Sequence, residues 1–73
     1  MKLPIISGIK TVKALVAIGF EVDHQTGSHI IMREKKAPFR RVTVPNHRQI
    51  VPRTLLSVMK QAGISREEFM KPI

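Results

Sequence analysis

The stretch Phe20-Glu21-Val22-Asp23-His24-Gln25-Thr26-Gly27-Ser28-His29-Ile30-Ile31-Met32-Arg33 decides the fold of this chain. Its first five residues alternate apolar and polar side chains, the two-residue period of a half-buried strand. Gln25 to Ser28 then turn the chain, with Gly27 free to adopt a positive φ and Ser28 able to hydrogen-bond local backbone. From His29 to Arg33 an apolar, β-branched run forms a second strand. Downstream, Glu34 to Phe39, with Pro38, read as a basic hairpin loop, and Arg40-Arg41-Val42-Thr43-Val44 as a third strand that Pro45 ends. The expected sheet therefore has three antiparallel strands.

Helical patterns flank this block. Ser7 is a suitable N-cap, and Ile9, Val12, Leu15, Val16 and Ile18 keep helical spacing up to Gly19, which predicts a helix over residues 8–18. On the other side Pro52 suits a first helical turn, and Leu55, Val58, Met59 and Ala62 are spaced i, i+3, i+4, i+7 before Gly63. Ser65 followed by Glu68 is a capping box for a last short turn carrying Phe69. Strands and helices are segregated in the order α-β-β-β-α. The fold class expected is α+β, with a three-stranded antiparallel sheet and both helices on one face. No repeat or linker divides residues 1–73, which read as a single domain.

A chain of 73 residues buries only about 60% of the surface its unfolded form exposes, which leaves no room for a deep cofactor pocket, and no cofactor is expected. The absence of cysteine excludes disulfides and thiolate metal sites, so a partner protein is the expected staple for so small a core. No apolar run approaches the roughly 18 residues of a membrane span, and the opening residues lack a signal-peptide pattern; the chain reads as soluble and cytoplasmic.

Thirteen Lys and Arg against five Asp and Glu give a net charge of +8. The excess concentrates between Arg33 and Arg53, where Arg33, Lys35, Lys36, Arg40, Arg41, Arg48 and Arg53 face the single acid Glu34. Such a block raises a field that attracts phosphates. With Phe20 and Phe69 in core positions, only Phe39 is placed to stack on a base, so recognition through backbone charge and shape is expected over base readout.

Histidine is the side chain type that titrates near neutral pH, and His29 stands at a turn-to-strand junction in this basic chain. That is a place for acid/base chemistry on a polyanion; a half-exposed strand-end residue without chemistry is the plainer reading. His24, His29 and His47 lack metal-ligand spacing, and the scattered carboxylates do not suggest a two-metal nuclease site. RNA, however, carries its own nucleophile in the 2′-hydroxyl. An imidazole to remove that proton and cations to stabilise the phosphate suffice for cleavage, and DNA lacks the group.

The helix ending in Gly19-Phe20, Gly27-Ser28-His29 opening a strand, Val42-Thr43-Val44-Pro45 followed by His47, and the run Leu55 to Ser65 followed by Glu67-Glu68-Phe69 together resemble the HicA toxins. The resemblance covers nearly the whole chain and lies in the order and spacing of these motifs. It implies a double-stranded-RNA-binding-domain-like fold, cleavage of messenger RNA, and neutralisation by a HicB-like antitoxin. It places the active histidine, as general acid or base, on His29, with Gly27 and Ser28 shaping its turn. A second histidine of the pattern falls on His47, at the site edge or in contact with RNA, or as a structural loop residue. Arg53 departs from the glycine expected near the start of the last long helix. The RNA backbone would be gathered by Ser28, Arg33, Lys35, Lys36, Arg40, Arg41 and His47. Two rival readings share the charge: a non-catalytic RNA-binding module of the same fold, and a domain that binds only an acidic protein. The residue that donates a proton to the leaving group is left unassigned.

Overall fold

The computed structural model describes residues 3–73. The order is α1 (Gly8–Ile18), β1 (Phe20–Thr26), β2 (His29–Glu34), β3 (Arg41–Pro45), α2 (Pro52–Ala62) and α3 (Arg66–Met70). The strands form one antiparallel sheet in the order β1-β2-β3. This is the α+β arrangement expected. Helix α1 packs on β1 and β3, α2 on β3, and α3 against α1. The helices thus cover the face that carries Ile30, Met32, Val42 and Val44, all buried, and leave the opposite face open.

The caps act as the sequence indicates. Ser7 Oγ accepts from Lys10 N at 3.0 Å, and Gly63 closes α2 in the left-handed region at φ 69°. Ser65 and Glu68 bond reciprocally, Glu68 N donating to Ser65 Oγ at 3.1 Å and Ser65 N to Glu68 Oε1 at 3.0 Å. Leu55, Val58, Met59 and Ala62 are all buried on α2, and Phe20 and Phe69 lie in the core.

Three details differ from the sequence reading. The first hairpin is tighter: β1 continues to Thr26, which pairs with His29, so only Gly27, at φ 56°, and Ser28 turn the chain. The polar Gln25 and Thr26 hide the end of an edge strand whose outer side faces water. Pro45 is the last residue of β3 and pairs with His29, because an edge strand tolerates a residue without an N–H. On α1 the buried side is Gly8, Thr11, Ala14 and Leu15, with Val12 and Ile18 partly buried, while Ile9 and Val16 are about half exposed.

Gly8 explains that rotation of α1. A Cβ at this position would stand 2.3 Å from the Pro45 carbonyl oxygen and 3.0 Å from Asn46 Cα. Only glycine lets the helix start lie directly on the chain leaving β3. Thr11 follows it inward with its hydroxyl satisfied by the Ser7 carbonyl at 2.9 Å.

Candidate active site

His29 is the first residue of β2. Because Ile30 and Met32 point into the core, the alternation of the strand sends His29, Ile31 and Arg33 to the open face. Pro45 and Thr43 stand opposite His29 and Ile31 on β3. A cleft of about 420 Å³ opens here, lined by His29, Thr43, Pro45, His47, Thr54 and Gln61 among others. The structure therefore brings His29 and His47, 18 residues apart in sequence, to one cleft.

Backbone hydrogen bonds and the Gln61 side chain hold the walls of this cleft. Asn46 N donates to the Ser28 carbonyl at 2.6 Å, which prolongs the β2–β3 ladder past His29. Gly8 N donates to the His47 carbonyl at 2.8 Å, tying the His47 segment to the start of α1. On the free edge of β3, Thr43 N donates to Gln61 Oε1 at 2.9 Å, and Gln61 Nε2 donates to Ser57 Oγ at 3.3 Å. The histidines stand on a frame of fixed peptide groups. Among the described residues neither the His29 ring nor the His47 ring has a hydrogen-bond partner.

The cations singled out in the sequence divide into two groups. Arg33 and Arg41 pair across strands on the open face, each beside an acid: Arg33 Nη2 is 3.7 Å from Glu21 Oε2, and Arg41 Nη1 is 3.4 Å from Asp23 Oδ2. Lys35, Lys36 and Arg40 lie beyond the other end of β2, about 17 Å along the strand from His29. Arg40 is turned toward α2: its Nη1 is 3.6 Å from Glu34 Oε1, and its guanidinium lies over Gly63, where a Cβ would come within 2.8 Å of its Cζ. Lys35 and Lys36 make no ion pair among the described residues. Ser28 is not among the residues lining the cleft; its carbonyl accepts from Asn46 N beside it. Phe39, at φ 57° and exposed, stands at the far end with the lysines.

Sequence reasoning missed the groups on β1. The register slips between Val22 and His24, so that Val22 faces Met32 and His24 faces Ile31, with Asp23 the extra residue of a β-bulge. His24 Nδ1 donates to Asp23 Oδ2 at 2.7 Å. That hydrogen bond, reinforced by the positive charge of Arg41 and Arg33, holds the Asp23 carboxyl below the usual carboxylate range. A bulge is invisible to a simple alternation count, which sets His24 on the side of Phe20 and Val22. Gly8 was missed for another reason: its role lies in a contact with residues more than 35 positions away.

Among the described residues no helix is long and apolar enough to cross a membrane. A family model described as the HicA toxin of bacterial toxin–antitoxin systems matches residues 9–64. No curated protein and no solved structure gives a significant match.

Proposed function

The chain belongs to the HicA toxin family of bacterial toxin–antitoxin systems, and we propose that it acts as an endoribonuclease that cuts messenger RNA with His29 as its general base. The observation that supports this most is the place of His29: on the open face of the sheet, at the mouth of the cleft shared with His47, in a chain of net charge +8. His29 takes the proton of a 2′-hydroxyl, and the 2′-oxygen attacks the adjacent phosphorus. Cleavage then leaves a 2′,3′-cyclic phosphate and a 5′-hydroxyl, with no metal required by the chemistry. His47 contacts the nucleotide seated in the cleft. Lys35 and Lys36, with the outer arginines Arg33, Arg40 and Arg41 and the Ser28 turn, draw in the phosphate backbone.

The partner in this reading is a HicB-like antitoxin that lays an acidic surface over Gly27 to His29 and the cations beside it. One interface then blocks the cleft and neutralises its field. The test is incubation of the purified protein with RNA in the presence of a chelator. Cleavage is expected, together with resistance of an RNA whose scissile nucleotide lacks the 2′-hydroxyl. RNA bound with salt-dependent affinity but left intact would favour the non-catalytic RNA-binding module of the same fold, and absence of binding would favour a domain that binds only protein.

A further inference from the structure

The bulge in β1 gives His24 a position that alternation would deny it. Without the extra residue, His24 would continue the row of Phe20 and Val22 on the helix-covered side. With it, His24 pairs with Ile31, whose neighbours on the open face are His29 and Arg33. Because Thr26 pairs with His29, His24 and His29 are diagonal neighbours across the β1–β2 pair. Such residues have Cα atoms about 7–8 Å apart, within joint reach of long side chains. Two imidazoles so placed can flank one phosphodiester.

The groups around His24 suit it to proton donation. Asp23 Oδ2 accepts a hydrogen bond from His24 Nδ1 at 2.7 Å, and the same oxygen is 3.4 Å from Arg41 Nη1, which reaches across β2 from β3. Asp23 is thus anchored by an arginine two strands away, and it in turn fixes the His24 ring with Nε2 as the free nitrogen. Glu21 is engaged by Arg33 at 3.7 Å and does not compete. His47, the other histidine near His29, has no carboxylate to orient its ring among the described residues. Bulges often re-aim a side chain beside an active site.

We propose that His24, oriented by Asp23, is the proton donor to the leaving group, opposite His29 as base. The inference rests on the nuclease reading given above. His29 Nε2 or Nδ1 accepts the 2′-hydroxyl proton as the bond from O2′ to phosphorus forms. The bond from phosphorus to O5′ breaks, and its electron pair takes the Nε2 proton of the His24 imidazolium, whose Nδ1–H stays on Asp23. The cycle ends with His29 protonated and His24 neutral, and exchange with water restores both.

The experiment compares single-turnover cleavage of an ordinary RNA with that of an RNA carrying sulfur in place of the scissile 5′-oxygen, whose thiolate leaves without a proton. His24→Ala and His24→Gln should cut the ordinary RNA about 100-fold or more slowly and the sulfur-bridged RNA at the wild-type rate. His29→Ala should be slow on both. The proposal is overturned if the His24 variants cut ordinary RNA at the wild-type rate, if they are equally impaired on both substrates, or if the sulfur instead rescues His47→Ala. A wild-type protein that cuts neither RNA overturns the nuclease reading and this one with it; an active wild type with indifferent His24 variants overturns this one alone.

Discussion

The two ends of the sheet are built on different principles. At the His29 end, position is set by hydrogen bonds to the backbone: Asn46 N bonds the Ser28 carbonyl, Gly8 N bonds the His47 carbonyl, and the Gln61 side chain caps the free edge of β3. At the Glu34 end, the chain makes a loop of Lys35, Lys36 and Phe39 whose side chains stand in water. Reactions need atoms held in place, whereas attraction of a polyanion needs only net charge within about a Debye length of 8–10 Å. Charge density and site geometry therefore need not coincide. In this fold they lie about 17 Å apart along β2, a span of a few nucleotides.

The most severe test of this division is His29→Ala. Loss of a general base costs about 10²–10⁴ in rate, while an exposed strand-end side chain should cost no more than about 1 kcal/mol of stability. Thermal unfolding, antitoxin capture and RNA cleavage measured on one preparation should show only the last one change. If antitoxin binding disappears as well with the fold intact, the two roles of this end are not separable.

At the opposite end, Lys35→Glu with Lys36→Glu should weaken RNA binding and flatten its salt dependence. Each phosphate that is no longer neutralised lowers the log–log slope by about 0.7 on single-stranded RNA. Arg40→Glu should do less than either lysine, since its guanidinium is already beside Glu34 and over Gly63. A larger effect at Arg40 than at the lysines would show that the paired arginines, not the loop, receive the backbone.

Gly8→Ala probes the rigid end through its backbone. The added methyl meets the Pro45 carbonyl oxygen at 2.3 Å, so α1 and the Asn46–His47 segment must part. Overpacking of this kind costs about 1–3 kcal/mol, against a gain of up to about 1 kcal/mol in helix propensity. The denaturation midpoint should fall, and cleavage should fall with it below the midpoint because His47 moves. A variant as stable and active as the wild type would mean that the cleft tolerates a displaced wall.

Acid should reveal the β1 cluster. The Asp23 carboxyl is held below the usual range chiefly by the His24 hydrogen bond, and Glu68 chiefly by the backbone N–H of Ser65. Depressed carboxylates stabilise the fold above the unfolded pKa, about 3.9 for Asp and 4.3 for Glu, and that contribution fades as pH falls through their lower folded values. Asp23→Asn should therefore shrink the difference in thermal midpoint between neutral pH and about pH 3. An unchanged difference would mean that the pair with His24 is not formed in solution.

How much of this is legible in the sequence depends on the range of the interaction. Ser7, Gly63, and Ser65 with Glu68 declare their roles within three or four residues, and each caps its helix as expected. The strands announce themselves by period, and Gly27-Ser28-His29 by its turn chemistry. What escapes are contacts between distant segments: the inward side of α1, chosen by the approach of Gly8 to Pro45, and the convergence of His29 with His47. The bulge at Asp23 escapes because a single extra residue reverses the faces of everything after it. The cations Arg33, Arg40 and Arg41 read as free charge in a string of letters, and folding sets each of them beside an acid.

The most direct test of the division between the two ends is a titration of cleavage rate against RNA concentration for His29→Ala and for the Lys35→Glu, Lys36→Glu double variant. The division predicts that His29→Ala lowers the rate at saturating RNA by at least about 100-fold with little change in the concentration giving half-saturation. The double variant should raise that concentration and recover the wild-type rate at saturation. If instead the double variant stays slow at saturating RNA, or His29→Ala is restored by more RNA, then chemistry and capture are not separated along β2.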